Sequence, residues 1–364
     1  MEQEKEHKRR VRYKGTHPRN YREKYKELNP EKYQDDVAKI IQSGKTPAGM
    51  HISIMVNEIL EFLDIQPGQV GLDATLGYGG HTRRMLEKLQ GQGHMYATDV
   101  DPIESEKTRA RLESLGFGPE ILTIRRMNFA NLDQVAPDQK FDFILADLGV
   151  SSMQIDNPDR GFTFKYDGPL DLRLDPTTGV TAAQRLRELD REELAAMLVE
   201  NSDEPYADEI AKAIITVFKK KGTIETTRQL ADVIEQALSF LPAKERKETV
   251  KKSCQRTFQA LRIDVNSEFE VLYSFLEKLP SVLKPGGKVA VLPFHSGEDR
   301  LVKKSFKQLQ KEGIYSDAAK DVIRPSAEEC FQNPRAKSTK MRWAIKACEN
   351  SQVSFELAWE FFMG

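Results

Sequence analysis

Three carboxylates close short apolar runs and are the first groups that could do chemistry. Asp73 ends Val70-Gly71-Leu72, Asp99 ends His94-Met95-Tyr96-Ala97-Thr98, and Asp147 ends Phe141–Ala146. Between the first two lies a glycine-rich turn, Leu76-Gly77-Tyr78-Gly79-Gly80-His81. Glycines at a strand-to-helix turn let the backbone fold tightly and approach a ligand closely. The free N–H groups that open the following helix suit a carboxylate or phosphate. Asp99, at the end of the next strand, is placed to accept hydrogen bonds from ribose hydroxyls. A glycine turn with an acid about 20 residues later points to an adenosine-containing cofactor.

A nicotinamide dinucleotide fits that chemistry too. Two features turn the reading away from it. The glycines follow an acidic strand end and lack the G-x-G-x-x-G spacing, and a late Lys284-Pro285-Gly286-Gly287 turn precedes a strand, as is common in class I methyltransferases. Further polar clusters are Asp147–Gln154, Asp159–Phe162, Gly168–Arg173, Arg256–Asn266, Phe294–Arg300 and Asn333–Ser338. Ligands of open α/β sheets sit at the carboxyl ends of the strands, which is where the first of these clusters begins. Taken singly, each cluster also serves as a helix cap or a surface ion pair.

The elements that must carry these groups alternate. Helical spacing over 52–64 (Ile52, Met55, Val56, Ile59, Leu60, Leu63) ends at Gln66-Pro67-Gly68. Strands are expected at Val70–Asp73, His94–Asp99, Ile121–Arg125 and Phe141–Ala146, with helices at about His81–Leu89 and Glu104–Leu115. Such alternation implies a parallel sheet covered on both faces. From 172 to 250 the pattern turns helical, with amphipathic stretches Ala182–Glu200, Asp208–Lys219 and Thr227–Leu238. The α/β pattern resumes with a helix at about Gln255–Leu279, a strand Lys288–Phe294 and another near Met341–Ile345. The expected organisation is a basic extension (1–46), a first core part (47–171), a helical insertion (172–250), a second core part (251–348) and a tail (349–364).

Net charge is −1, so the whole chain is not a basic nucleic-acid binder. Residues 1–30, however, hold ten Lys/Arg against five Asp/Glu, with Tyr13, Tyr21 and Tyr25 interleaved. That pattern suits an arm whose cations meet phosphates and whose rings stack on bases, or a solvated tail. No apolar run is long enough for a membrane span, and no secretory signal is evident. Three scattered cysteines form no CxxC pair, and six histidines show no ligand spacing, so neither disulfides nor a metal is expected. A reducing cytoplasm is the simplest compartment. Self-association as a homodimer is left open.

The ordered strings resemble the bacterial ribosomal RNA small-subunit methyltransferase H family, also called MraW. They are DATLGYGGH at 73–81, Asp99/Asp101, Asn128-Phe129, DLGVSS at 147–152, DRGF at 159–162, GPLDLR at 168–173, RTFQALRIDVN at 256–266, FHSGEDR at 294–300 and NPRAKS at 333–338. The resemblance implies a class I, Rossmann-like α/β methyltransferase core with a helical insertion. It implies S-adenosylmethionine as cofactor and N4 of a decoding-region cytidine in small-subunit rRNA, free or in the assembling subunit, as target. Gly79, Gly80 and His81 would then line the methionine side, Asp99 the ribose and Phe129 the adenine, with Asp147 and Gln154 completing the pocket. The N4 lone pair is delocalised into the ring, so a group accepting an N4 hydrogen would help. Candidates are Asp147, Ser151, Asp171 and His295, and Arg173, Arg256, Arg262 and Arg300 are candidate RNA contacts or internal ion pairs. The chain departs from the family at Met153, Leu172, Leu174 and Gly297, and fifty residues precede His51, where typical members almost begin. Alternatives are a methyltransferase for another RNA site or a protein, and a ribosome-assembly factor without turnover.

Overall fold

The computed structural model describes residues 53–348. The basic extension and the tail from 349 lie outside the described residues. The first helix, α1 (Val56–Leu63), is followed by β1 (Val70–Asp73), α2 (Gly80–Leu89), β2 (His94–Asp99), α3 (Pro102–Ser114), β3 (Leu122–Arg126) and β4 (Phe141–Asp147). A short α4 (Ser152–Asp156) leads to a helical stretch: α5 (Ala182–Glu188), α6 (Arg191–Ser202), α7 (Ala207–Lys219), α8 (Thr227–Ala237) and α9 (Ala243–Asn266). The chain then forms α10 (Glu268–Val282), β5 (Leu283–Leu292), α11 (Ser296–Lys311), β6 (Tyr315–Ala318), α12 (Ala327–Gln332) and β7 (Arg342–Lys346).

The seven strands form one sheet in the order β3-β2-β1-β4-β5-β7-β6. The pairs β3/β2, β2/β1, β1/β4 and β4/β5 are parallel, and β7 runs antiparallel to both β5 and β6. The sheet is the α/β class I arrangement expected of the sequence. Strands buried on both faces read as continuous apolar runs, and β4 does so from Phe143 to Ala146. Its Ile144 and Ala146 join the cluster with Leu72, Phe275 and Leu279, while Phe143 and Leu145 join the one with Met55, Leu86 and Met95. Adjacent side chains thus feed opposite faces, and each buried side chain of this size stabilises the fold by about 1.5–3 kcal/mol. Gly71 on β1 is required by this packing, because a Cβ there would collide with the Phe143 ring.

The helical stretch has its own core, including Leu170, Leu172, Leu186, Leu194, Ile210, Leu230 and Leu261. Capping boxes start three of its five helices: Thr181 with Gln184, Asp190 with Glu193, and Thr226 with Gln229. Each satisfies two otherwise open backbone N–H groups. The chain enters this layer slightly before 172, since Leu170 is buried in it and Pro169 pairs with Thr226. It also leaves it later than 250. The helix expected at 255–279 is two helices, because Ser267 adopts the left-handed conformation (φ 49°) and ends α9. Strand β5 begins at Leu283 and stops at Leu292, because Pro293 follows and the Phe294 N–H donates to Glu298 instead. Strand β6 has no counterpart in the sequence reading. Only Tyr315 and Ala318 of its four residues are buried, which is too short a pattern to recognise.

Candidate active site

The parallel strands deliver Asp73, Asp99 and Asp147 to one edge of the sheet. Strand β1 has β2 on one side and β4 on the other, so Asp73 and Asp147 flank the point where strand order reverses, the usual ligand crevice of such sheets. Asp73 is buried and holds the turn together. Its Oδ1 accepts the Thr75 N–H at 3.0 Å and its Oδ2 accepts the Thr82 hydroxyl of α2 at 2.6 Å. Thr75 Oγ1 in turn accepts the Asp147 N–H at 2.7 Å. Burial raises the Asp73 carboxyl above the ordinary range, opposed by these bonds and by His81.

Asp99 accepts the Gly77 N–H at 2.8 Å on Oδ2 and the Asp101 N–H at 2.8 Å on Oδ1. Burial still pushes its pKa up to about 6. Each oxygen keeps a second lone pair, so the carboxylate can also accept ligand hydroxyls. Gly79 has φ 82°, and a Cβ there would lie 2.7 Å from Thr108 Cγ2 of α3. A Cβ on Gly80 would strike Ser53 Oγ. These two glycines therefore admit close neighbours within the protein, which brings α3 and the segment before α1 up against the turn.

His81 sits in the first turn of α2, buried. Its Nε2 is 2.8 Å from the Ile54 carbonyl oxygen, which can only accept, so Nε2 is the donor. Its Nδ1 faces Asp147 Oδ2 at 3.5 Å. The other oxygen, Asp147 Oδ1, is buried with no hydrogen-bond partner. Burial pushes the Asp147 pKa up to about 6; His81 opposes this, and Asp73 and Glu298 add to it.

Gln154 lies beside this group but is fully engaged within the protein. Its Oε1 accepts the Ser151 N–H at 2.9 Å, and its Nε2 donates to Asp101 Oδ2 at 2.9 Å. The hydroxyl of Ser151 accepts the Gln154 N–H at 3.2 Å, closing a capping box on α4. Asp101 caps α3 and is also gripped by Arg160 at 2.7 Å. Arg160 reaches on to the carbonyls of Arg173 and Leu174 at 3.1 and 2.8 Å. This node ties Asp101, at the start of α3, to Gln154 and Arg160, which lie 53 and 59 residues further along the chain. Phe129 is half-buried, packs against the core and meets Phe275 edge-on at 5.2 Å.

The remaining candidates divide. Asp171 is held in a fork by Arg173 at 2.8 and 2.7 Å, so neither serves readily as a proton acceptor or a phosphate contact. Arg262 likewise grips both oxygens of Glu268 at 2.8 and 2.9 Å. Arg256 is half-buried and Arg300 exposed, and neither has an ion-pair partner among the described residues, so both are open to phosphate. His295 Nε2 lies 3.3 Å from Glu298 Oε1. Glu298 lies in the Phe294–Arg300 cluster of the sequence reading but was not among its candidate site residues. It is buried and would be raised by burial, but His295, Arg262 and the Phe294 N–H outweigh that and hold it below the ordinary range. Glu268, His295 and Glu298 bring ligand-type atoms within 4.8 Å of one another. The Arg262 guanidinium already matches Glu268 there, so the group reads as an ion-pair cluster.

Comparison with known proteins agrees with this geometry. Residues 48–347 match the profile of the MraW methylase family. A Lachnoclostridium phytofermentans protein named ribosomal RNA small subunit methyltransferase H 1 is 69% identical over 346 residues, covering 95% of this chain and 94% of its own length. A protein of that name from Agathobacter rectalis is 67% identical, covering 95% of this chain and 100% of its own. Ribosomal RNA small subunit methyltransferase H of Thioalkalivibrio sulfidiphilus is 41% identical but covers 83% of this chain and 98% of its own, so it lacks a counterpart to part of the chain. A match of this extent settles the family: the chain is a member of the MraW methylases.

Proposed function

We propose that the protein transfers the methyl group of S-adenosylmethionine to the exocyclic N4 of a cytidine in the decoding region of small-subunit rRNA. The observation that carries this reading is Asp147 Oδ1, a buried carboxylate oxygen without a partner at the catalytic edge of the sheet. The names of the relatives, which act on small-subunit rRNA, support the substrate class.

The residues present fit the cofactor. Asp73, Asp99, Asp147 and Glu298 crowd one edge, and repulsion from Asp73 contributes to the raised pKa values of both Asp99 and Asp147. Such a site favours a ligand bearing an ammonium and a sulfonium, and disfavours a diphosphate. Bound there, S-adenosylmethionine supplies a methyl group made electrophilic by its positive sulfur. Asp99 is placed for the ribose, Phe129 for the adenine, and the turn at Gly77–Gly80 for the methionine end.

Asp147 Oδ1 accepts an N4–H, which localises the nitrogen lone pair toward the methyl and takes the proton released on transfer. The His81 ring lies beside the other oxygen, with Nδ1 3.5 Å from Oδ2. Fixed alignment of nitrogen, carbon and sulfur supplies much of the rate. Arg256, Arg300 and the helical layer contact the RNA, and the basic extension adds phosphate contacts. No helix among the described residues is long and apolar enough to cross a membrane, and the cytoplasm is the compartment of this reading.

The test compares small-subunit rRNA from cells with and without the gene, quantifying N4-methylcytidine by mass spectrometry at mapped positions. Loss of the mark in the decoding region is the expected result. An unchanged mark would overturn the assignment of this target.

A further inference from the structure

Between β6 and β7 the chain leaves the sheet and comes back to the place it left. The Ala319 N–H bonds the Trp343 carbonyl, Ile323 pairs with Met341, and the Lys340 N–H bonds the Pro293 carbonyl just beyond β5. Because β7 is antiparallel to β5, its first residue Arg342 lies beside Val291. Asp147 pairs with the next residue, Leu292. The excursion at 319–341 therefore rises from the catalytic edge.

Two anchors tie it to the site. Glu329 on α12 accepts the Met55 N–H at 2.7 Å, one residue from the Ile54 carbonyl that holds His81. Arg335 donates to Asp156 at the end of α4 at 2.8 Å. Between these anchors Phe331 projects outward, 88% exposed. It is the most exposed large apolar side chain among the described residues. Glu328 and Gln332 beside it are exposed and polar, and no other large apolar side chain of the excursion is exposed to extend the ring into a patch. A lone ring in polar surroundings suits a flat partner and not a protein core, which needs a continuous apolar surface. Arg324 and Lys337, in the same excursion, are exposed cations without an ion-pair partner among the described residues.

We propose that Phe331 is a stacking platform for an unpaired base adjacent to the methylated nucleotide, with Arg324 and Lys337 meeting the phosphates beside it. The proposal rests on the RNA reading above. Chemistry on an exocyclic nitrogen needs an unstacked nucleotide, and splayed strands are commonly held by aromatic rings and cations.

The test is steady-state methyl transfer to small-subunit particles by the full chain and its variants. Phe331→Ala should raise KM for the particle about tenfold or more, with KM for S-adenosylmethionine unchanged within about twofold. Phe331→Trp should restore the wild-type value. Arg324→Gln with Lys337→Gln should flatten the salt dependence of binding by about 0.7 log units per log salt for each cation lost. An unchanged particle KM in Phe331→Ala would overturn the platform. So would a parallel rise in cofactor KM, which would assign the effect to a loosened Glu329 anchor. A change of oligomeric state with unaltered RNA kinetics would assign the ring to a second copy and overturn it as well. Wild-type enzyme inactive on the particles would sink the functional reading first, whereas active wild type with indifferent Phe331→Ala would sink only this inference.

Discussion

Replacing Arg160 with methionine probes the buried node behind the cofactor side of the site. The Arg160 side chain is 9% exposed and that of Asp101 is 0% exposed, so the ion pair is almost wholly out of water. Removing one partner of such a pair typically costs about 3–5 kcal/mol, because the remaining charge is left buried. Asp101 would keep the Ile103 and Glu104 N–H groups and Gln154 Nε2. The cost is therefore expected at the lower end, about 3 kcal/mol. Function should suffer too. The Asp101 N–H orients Asp99, so the cofactor Kd should rise by about tenfold. Guanidinium denaturation with and without S-adenosylmethionine measures the first effect and titration calorimetry the second. Asp101→Asn and the double variant complete a cycle, with a coupling energy of about 1–3 kcal/mol expected. A loss below about 1 kcal/mol, or additive single variants, would refute the idea that this node holds the site.

Burial pushes Asp99 and Asp147 up to about 6, and a cationic ligand favours their ionised forms. Cofactor affinity, read by calorimetry, should fall about tenfold for each of the two groups it requires ionised as pH drops from 7 to 5. The ligand-free protein should behave oppositely: raised carboxyls contribute stability below about pH 4, and it is lost as pH rises through about 6. Asp147→Asn should lower turnover at saturating cofactor by about 10²- to 10⁴-fold while leaving cofactor Kd within about tenfold, as single-turnover assays would show. Gly71→Ala should destabilise the fold by about 1–3 kcal/mol through its clash with Phe143, and Phe143→Leu in the same chain should recover part of it in thermal melts. Removal of residues 1–46 should weaken RNA binding and flatten its salt dependence, and an unchanged slope would count against an RNA-contacting arm.

What the sequence made legible was local. Each strand-end acid closes its own apolar run, and the glycine turn adjoins Asp73, so three carboxylates could be set on one edge without coordinates. The partners of those acids could not. Gln154 and Arg160 meet Asp101 across 53 and 59 residues. The carbonyl that fixes the His81 ring comes from Ile54, on a segment whose contact with α2 depends on tertiary packing. The arginines show the same limit from the other side. Arg173 and Arg262 look like phosphate contacts until Asp171 and Glu268 turn toward them, a choice made by the rotamers of long side chains. The break between α9 and α10 was hidden because Ser267 carries no helix-stopping signal of its own, neither glycine nor proline, although its backbone is left-handed and its N–H closes the last turn of α9.

The antiparallel return of β7 has a consequence for how such an enzyme can diverge. Since β6 and β7 open and close their connection at one edge, residues can be inserted or removed between 319 and 341 without shifting the register of the five parallel strands. The strands that carry Asp73, Asp99 and Asp147 keep their pairing under such changes, provided that the Glu329–Met55 and Arg335–Asp156 anchors are kept. If the excursion meets the RNA as proposed, a graft of 319–341 from a relative that keeps both anchors should change where the methyl group is delivered while leaving the strand-end acids in place.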